Sequence, residues 1–300
     1  MDRIQFSKPE IGSGEIDAIV EVMNSGYLAA GPQTEAFEKE FADYVGVKYA
    51  IFTSSGTAAL KLAYKYFREE VGATHYSLAN PNTYNATYSA AEEIGLKPTK
   101  SPIDLFIKKS VWVVVHYGGV KVNGPCHLED SAHRIEPNDP LVGDVRIYSF
   151  YATKNMTTGA GGMLVTNDKD IYDRCRLYWS DGLRDKNDPD AEVEVYSGGY
   201  DGNDIAAAIG RVQLKRLPKF NERRNEIVLK YNEAFGRDWK GNHLYPISKD
   251  KGLIKFLDKH GIAAKFFYNP GGYVCLPLYP SLTDKQVEYI IRKVKEYGSI

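Results

Sequence analysis

The stretch "SFYATKNMTTGAGGMLVTND" (residues 149–168) places one lysine, Lys154, between two short apolar runs and directly before a glycine-rich turn. The runs 146–151 and 162–166 are rich in β-branched and aromatic residues and are bounded by turn residues, so both are predicted strands. Lys154 is then expected in a loop at the end of a strand. For a single lysine a solvated surface position is the default interpretation, because lysine is almost never buried without a partner. A chemical role for Lys154 therefore needs support from other residues of the chain.

The composition is that of a globular chain without a charge bias. Of the 300 residues 43% are hydrophobic, and 38 basic against 39 acidic residues give a net charge of -1. A neutral balance gives no electrostatic reason to expect nucleic acid or an anionic membrane as a partner. Three widely spaced cysteines predict neither a disulfide framework nor a metal site. The absence of a signal segment and of a bilayer-length apolar stretch predicts a cytoplasmic protein.

Helical and strand patterns alternate through the first two thirds of the chain, which predicts an α/β architecture with a mostly parallel sheet. Apolar residues at helical spacing predict a helix over 34–46 with Thr34 as its N-cap, and the final helix is predicted to be capped by Thr283. Pro218 is expected to kink or separate the long helical region around it. We therefore predict a large domain over residues 1–215 and a small α+β domain over 216–300.

The segment "TSSGTAAL" (residues 53–60) is a predicted turn from a strand into a helix. A helix N-terminus offers unpaired N–H groups and a positive dipole end, and Gly56 lets the backbone approach a ligand closely, so the turn suits a phosphate. Serine and threonine are also ordinary N-caps, so a purely structural role remains open.

Two further candidates follow predicted strands. Asp130 closes the predicted strand 126–130, at the rim where α/β folds bind ligands, although it is equally suited to cap a helix. Tyr84 lies in the polar loop 80–87, where its ring can stack on a cofactor or fill the core.

Together these residues supply the groups that pyridoxal phosphate requires. The aldehyde cofactor needs a lysine for a Schiff base, a carboxylate that keeps the pyridine nitrogen protonated, and an anchor for its phosphate. Lys154 and Asp130 fit the first two, and Ser149 can add a hydroxyl at the phosphate. Because burial lowers the pKa of a lysine readily, Lys154 would serve as nucleophile and as proton carrier.

Four stretches resemble the DegT/DnrJ/EryC1/StrS family of sugar aminotransferases, which have the fold type I architecture of pyridoxal-phosphate enzymes. They are "GYLAAGPQTEAFEKEFADYVGVKYAIFTSSGTAAL", "LEDSAH", "YSFYATKNMTTGAGGMLVTND" and "LPLYPSLTDKQVEYIIRKV". The resemblance extends in order over nearly the whole chain. It implies that Lys154 forms the internal aldimine, that Asp130 pairs with the pyridine nitrogen and that Tyr84 stacks on the ring.

The resemblance also implies the remaining cofactor contacts. Ser149 and the turn Gly56, Thr57 and Ala58 would hold the phosphate, and His133 would lie near the 3-hydroxyl side of the cofactor. Members of this family transfer an amino group, usually from glutamate, to a nucleotide-linked keto sugar, most often a 4-keto or 3-keto deoxysugar. They are homodimers whose sites lie at the subunit interface.

The chain departs from the family pattern at three places. The segment between "VHYGG" and "LEDSAH" lacks the usual crossover helix, which predicts a reduced sheet. The family asparagine of "GYNYRM", donated across the dimer to the phosphate, aligns with Gly199, and Asn203 is the candidate substitute. The segment around "FFYNPGGYVC" is shorter than the substrate-facing part of the relatives.

These departures leave two alternatives to a nucleotide-sugar aminotransferase. One is an aminotransferase that acts on a keto compound without a nucleotide, such as a cyclitol. The other is a cofactor-binding or regulatory protein that no longer turns over. The presence of Lys154, Asp130, Tyr84 and Ser149 together favours an enzyme.

Overall fold

The computed structural model describes residues 2–80, 83–99, 109–183, 190, 192–267 and 272–298. Its first feature is a seven-stranded sheet in the order β1-β7-β6-β5-β4-β2-β3. The strands are β1 Tyr49–Thr53, β2 His75–Leu78, β3 Lys97–Pro98, β4 Ser110–Val115, β5 Leu128–Asp130, β6 Val145–Ser149 and β7 Gly162–Thr166. Only β7 runs against its two neighbours, β1 and β6, and the other pairs are parallel. This is the α/β architecture with a mostly parallel sheet that the alternating pattern predicts.

Helices cover both faces of this sheet. The described helices are α1 Ser13–Ser25, α2 Pro32–Val45, α3 Gly56–Glu69, α4 Asn85–Glu93, α5 Lys169–Trp179, α6 Asp204–Phe235, α7 Gly252–Lys259 and α8 Asp284–Tyr297. The consecutive strand residues Ile147 and Tyr148 belong to two different apolar clusters, because side chains alternate between the faces of a strand. Helices α3, α4 and α5 pack on the Ile147 face, whereas α2 and α6 pack on the Tyr148 face.

A second, smaller sheet has the order β8-β10-β9 and lies in the C-terminal part of the chain. Its strands are β8 Tyr245–Ser248, β9 Lys265–Phe267 and β10 Tyr273–Leu276. These strands share an apolar cluster with α7, α8 and the end of α6. Leu217 of α6 packs in the core of the large sheet, whereas Ile227 packs in the second cluster. The helix therefore passes through the predicted boundary at residues 215 and 216, and the two-domain division stays a prediction.

Two predictions about helix ends are wrong. Helix α2 begins at Pro32 with Gly31 as its N-cap, so Thr34 is a residue of the first turn rather than the cap. Pro218 does not separate two helices, because α6 is one helix of 32 residues with the proline inside it, whereas the alternative of a kink stays a prediction. The side chain of Pro218 is exposed, so its ring does not have to pack in a core. The cap of the final helix is confirmed, since Thr283 accepts a hydrogen bond from the Gln286 N–H.

The shortened segment removes neither of the strands that it joins, since β4 and β5 are both present and pair in parallel, and a sheet reduced relative to the family stays a prediction. Residues 116–127 join β4 to β5 with only a 3₁₀ turn at Tyr117–Gly119 in place of a helix. Beside this connection Glu129 pairs with Arg146 at 2.7 Å and with His116 at 3.0 Å, and all three side chains are buried. Although burial opposes it, the hydrogen bonds from His116 and Arg146 lower the Glu129 pKa to about 2. A buried network of charges thus occupies the sheet face beside the shortened crossover.

Candidate active site

The carboxyl ends of β1, β5 and β6 meet at one edge of the large sheet, where a cavity of about 450 Å³ opens. A crevice at this edge is the usual ligand site of an open α/β sheet. Seven of the nine residues predicted from the sequence line it: Gly56, Thr57, Tyr84, Asp130, His133, Ser149 and Lys154. The structure therefore brings together residues that are up to 98 positions apart, between Gly56 and Lys154.

The N-terminus of α3 forms one wall of the cavity. Ser55 is the N-cap, and its hydroxyl accepts a hydrogen bond from the Ala58 N–H at 3.1 Å. This bond occupies the Ala58 N–H, and Ala58 is buried and does not line the cavity. The candidate amides for a ligand are therefore those of Gly56 and Thr57. The cap interpretation of this turn is therefore confirmed for Ser55, whereas a phosphate at the same helix end stays a prediction.

Two glycines allow the strands to approach this helix end. A Cβ atom added to Gly162 would lie 2.5 Å from the Gly56 nitrogen, and one added to Gly56 would lie 2.9 Å from the Ser149 Cβ. Neither distance is possible for a real side chain, so glycine is needed at both positions. The close contact places the Ser149 hydroxyl, at the end of β6, beside the first turn of α3, as the phosphate hypothesis requires.

Asp130 ends β5 and is nearly buried at the cavity wall. Its Oδ2 accepts a hydrogen bond from the Thr87 hydroxyl at 2.8 Å, and its Oδ1 accepts one from the Ala132 N–H at 3.1 Å. No α-helix begins there, so the alternative role as a helix cap is wrong. Thr83 in turn lies 2.8 Å from the Thr87 hydroxyl. A short chain of hydroxyl groups from the start of α4 thus fixes the carboxylate.

Lys154 lies in the loop after β6, as predicted, and its side chain is partly enclosed by the cavity walls. Burial lowers its pKa to about 8, and the attraction of Asp130 opposes this shift. An ordinary surface lysine would keep a pKa near 10.5. A far larger fraction of the amine is therefore neutral, and hence nucleophilic, near physiological pH.

Two stacked imidazoles lie close to Lys154. His133 and His243 have ring centroids 4.3 Å apart with an angle of 29° between the ring planes. Burial is the main cause that lowers both pKa values well below the ordinary range, and the Lys154 charge adds to it. His133 accepts a hydrogen bond at Nδ1 from the Gly118 N–H at 3.2 Å, which leaves the proton of the neutral ring on Nε2. His133 is therefore held as a donor in a defined orientation.

Tyr84 and Asn203 occupy different surroundings. Tyr84 directly precedes α4 and is 65% exposed, so it does not fill the core and remains available to stack on a ligand. Asn203 is the N-cap of α6, where its Oδ1 accepts a hydrogen bond from the Ala206 N–H at 2.9 Å. It does not line the cavity of its own chain, so its contribution across a dimer stays a prediction.

The sequence interpretation missed the opposite wall of the cavity, which comes from the N-terminal segment and the second sheet. Lys265 of β9 lies over the ring of Phe6, with its Nζ 5.4 Å from the centroid, and the rings of Phe6 and Phe267 are 5.3 Å apart. All three residues line the cavity, together with His243. Nothing in the local patterns marked these residues, because they meet the site only through the packing of distant segments. This wall combines aromatic surface with a cation.

These groups fit pyridoxal phosphate. The cavity offers one lysine amine of lowered pKa, one fixed carboxylate, and a helix N-terminus with an adjacent hydroxyl for a phosphate. No cluster of three or more His, Cys, Asp or Glu side chains that could hold a metal occurs among the described residues. Among the same residues, no helix is both long and apolar enough to cross a membrane.

Comparisons with known proteins agree with this chemistry. The model of the DegT/DnrJ/EryC1/StrS aminotransferase family matches residues 9–107 and 129–271 and leaves out the stretch between them that holds β4 and the shortened crossover. The spore coat polysaccharide biosynthesis protein SpsC of Bacillus subtilis is 30% identical over 380 residues, covering 98% of this chain and 96% of that protein.

Two further similarities come from Helicobacter pylori. Its UDP-4-amino-4,6-dideoxy-N-acetyl-beta-L-altrosamine transaminase is 28% identical over 318 residues, covering 90% of this chain and 85% of that protein. The solved structure of PseC, an aminotransferase involved in the biosynthesis of pseudoaminic acid, matches with a TM-score of 0.89 at 24% identity, covering 98% of this chain and 99% of that one. At that identity the structural match supports the fold alone.

Proposed function

Because the chain belongs to the DegT/DnrJ/EryC1/StrS aminotransferase family, we propose that it moves an amino group from glutamate to a nucleotide-linked keto sugar through Lys154. Membership makes it a pyridoxal-phosphate-dependent sugar aminotransferase of fold type I. What we propose beyond membership is the identity of the amino donor, the nucleotide on the acceptor and the roles of the site residues. The reaction has two halves: glutamate leaves as its keto acid, and the keto sugar then leaves as an amine.

The single observation that carries the proposal is the pairing of Lys154 and Asp130 in one cavity beside the N-terminus of α3. When bound, the cofactor supplies an aldehyde for attachment to the lysine and a ring that accepts electrons from the donor's α-carbon. Asp130 would hold the proton on the ring nitrogen, and Thr87 keeps that carboxylate in place. Ser149 and the amides of Gly56 and Thr57 would bind the phosphate.

Lys154 would also move the proton that the transfer requires. Its Nζ would take up the proton that leaves the donor's α-carbon and would later deliver a proton to the carbon of the acceptor that becomes the amine, for which a pKa of about 8 is well suited. Neutral His133 would donate from Nε2 on the 3-hydroxyl side of the bound cofactor, and Tyr84 would stack on its ring. The cavity walls that partly enclose Lys154 would limit the access of bulk water to its amine.

The aromatic and cationic wall supports a nucleotide-linked acceptor. Lys265 is suited to an anionic group such as a diphosphate, and the rings of Phe6 and Phe267 offer apolar surface to a sugar face. The Helicobacter pylori relative is named for a UDP-linked amino sugar, which favours the same class here.

The decisive test is the visible absorption spectrum of the cofactor-loaded protein before and after glutamate is added. We expect a visible band that fades as a near-ultraviolet band grows. Reduction with borohydride followed by peptide mass spectrometry should place the cofactor on Lys154. Lys154→Ala should lose both the covalent link and the spectral change, whereas Lys215→Ala, an exposed lysine on α6, should keep them. A visible band that glutamate leaves unchanged would favour another donor or a non-catalytic role.

Calorimetric titration with UDP tests the acceptor class. We expect measurable binding that Lys265→Met weakens about tenfold, while Lys259→Met at the exposed end of α7 leaves it unchanged. No affinity for any nucleoside diphosphate would instead favour a keto substrate without a nucleotide.

A further inference from the structure

Three buried asparagines form a connected group behind Lys154. Asn155, the residue directly after the lysine, donates from Nδ2 to the Oδ1 of Asn221 and to the Oδ1 of Asn242, both at 3.2 Å. Asn221 belongs to α6, and Asn242 lies just before β8. All three side chains are at most 5% exposed. The lysine loop is thus tied to two elements that are distant in sequence.

The same group reaches the loop that carries His133. Asn221 donates from Nδ2 to the Ile135 carbonyl at 2.9 Å, and Asn242 donates from Nδ2 to Glu136 Oε1 at 3.1 Å. Three asparagines therefore connect the loop of the lysine, the loop of His133, helix α6 and the approach to β8. Buried amides with several partners hold a single arrangement, because moving one of them leaves others unsatisfied.

The residue after Asn242 extends this connection to the histidine pair. His243 stacks on His133, and its own N–H donates to the Gly118 carbonyl at 3.0 Å, while the Gly118 N–H donates to His133 Nδ1 at 3.2 Å. The dipeptide Asn242–His243 therefore contacts the lysine loop with one side chain and His133 with the other. The relative placement of the lysine and His133 depends on this dipeptide.

We propose that Asn155 and Asn242 are positioning residues for Lys154, which hold its loop against the cavity wall and fix it relative to the His133–His243 pair. This inference rests on the proposed role of Lys154 as the cofactor-binding lysine. Neither asparagine lines the cavity, so both act through the residues beside them. Loss of the Asn155 amide would let the loop relax and let water reach the lysine amine.

Four charged or titratable side chains lie around Lys154 and its loop. Asp130 lies across the cavity, and His133 and His243 lie beside the amine. Arg224 of α6 is buried behind the loop, with its Nη2 3.5 Å from the Lys154 carbonyl oxygen. A change that spares all four groups, such as Asn155→Ala, therefore reports on position and solvent access rather than on a lost charge.

The test measures the pKa of Lys154 in the 300-residue chain without cofactor. Trace labelling with acetic anhydride across pH 6 to 11, followed by peptide mass spectrometry, gives the pKa of this one amine. We expect Asn155→Ala and Asn242→Ala each to raise it by about one unit toward the ordinary value, which lowers the neutral fraction at pH 7 about tenfold. Because both changes break the same hydrogen bond, the double variant should show little more than the larger single shift.

Asn232→Ala is the matched control. Asn232 also lies on α6 and ties that helix to Trp239 before β8 and to Tyr245 at the start of β8, and its hydrogen bonds in the described part of the chain do not reach the lysine loop. It should lose stability without moving the Lys154 pKa. The proposal is overturned if folded Asn155→Ala or Asn242→Ala keeps the wild-type pKa, if their shifts add, or if Asn232→Ala shifts it as much.

The labelling experiment tests the positioning proposal independently of the proposed function. If labelling shows the expected shifts but borohydride reduction finds no cofactor on Lys154, the positioning group stands and the cofactor assignment fails. If the cofactor is found on Lys154 but the labelling pKa does not respond to either asparagine, the cofactor assignment stands and the positioning proposal fails.

Discussion

Lys154 couples chemistry to stability, because the same burial that makes its amine reactive penalises its charged form. Its pKa in the folded chain is about 8, against an ordinary value of 10.5. The unfolded chain therefore binds more protons at this lysine than the folded chain does between these two pH values. In that window the free energy of unfolding rises with pH, and below pH 8 the whole penalty is present. At about 1.4 kcal/mol per pKa unit the penalty is on the order of 3 kcal/mol.

The corresponding prediction concerns Lys154→Met in the cofactor-free protein. Methionine has a similar length and no charge, so we expect the variant to be more stable than the wild type at pH 7, by about 1 to 3 kcal/mol. The difference should shrink as the pH rises toward 10.5, because the wild-type amine then becomes neutral in both states. Urea unfolding of both proteins at pH 7 and pH 10 measures it. A constant difference, or a less stable variant at pH 7, would contradict the burial of this amine.

Some residues of the candidate site could be predicted from the sequence, and others could not. Lys154, Asp130 and Ser149 could be predicted because each one follows or ends a short apolar run, and the ends of parallel strands meet at one edge. Asn155 and His243 could not be singled out. Their roles depend on contacts with residues 66 to 110 positions away, and no local pattern marks a buried amide or imidazole.

Among the secondary-structure elements, α3 combines a cap with a candidate site at its N-terminus, since Ser55 caps the helix and the next two residues line the cavity. Removing a serine or threonine N-cap costs about 0.5 to 2 kcal/mol. Helix α8 offers a matched comparison, because Thr283 caps it with a hydrogen bond from the Gln286 N–H and lies outside the cavity.

We therefore predict that Ser55→Ala and Thr283→Ala lower the free energy of unfolding by similar amounts, about 1 kcal/mol each. Only Ser55→Ala should also weaken the binding of pyridoxal phosphate, because only that helix end holds a candidate phosphate site. Urea unfolding of the cofactor-free proteins and a spectroscopic titration with the cofactor measure the two effects. Equal cofactor affinity in the two variants would argue against a phosphate at α3.

The wrong predictions at the element scale have a common physical cause, which is tertiary contact. Helix α2 starts earlier than predicted because Asp204, on α6, accepts hydrogen bonds from the Gly31, Gln33 and Thr34 N–H groups at 2.8 to 3.0 Å. A carboxylate about 170 positions away thus accepts the N–H hydrogen bonds that a local N-cap side chain would otherwise accept. Helix α6 likewise continues through Pro218, because both of its halves are packed in apolar clusters.

At the scale of the whole molecule, α1 presents an apolar stripe to the outside. Its inner side holds Glu15, which accepts hydrogen bonds from Gln213 and Arg216. Its outer side carries Ile16, Val20 and Met23, each more than half exposed. These three residues are spaced along one helix face, and an exposed apolar patch of this kind commonly marks an interface. It supports the homodimer that the family resemblance predicts, in which the partner completes the site.

Asn203 allows the contribution of the partner to be tested separately from the fold. Asn203→Asp keeps an oxygen that can cap α6, but it replaces the amide donor with a negative charge. If Asn203 reaches the phosphate of the other subunit, we expect unchanged stability together with at least tenfold weaker binding of pyridoxal phosphate. Urea unfolding and cofactor titration separate the two effects. Unchanged cofactor binding would remove Asn203 as the substitute for the family asparagine.

The prediction for the assembly follows from the α1 stripe. Val20→Asp puts a charge in the middle of the exposed apolar face, and desolvating an unpaired carboxylate would strongly oppose association. We expect light scattering after gel filtration to show a dimer for the wild type and a monomer for this variant. Leu229→Asp is the control, because Leu229 is an exposed apolar residue on α6 that lies outside the stripe, and it should leave the dimer intact. If the site needs its partner, the Val20→Asp monomer should also lose the spectral response to glutamate. A stable, active monomer of the wild-type chain would show that one subunit completes the site by itself.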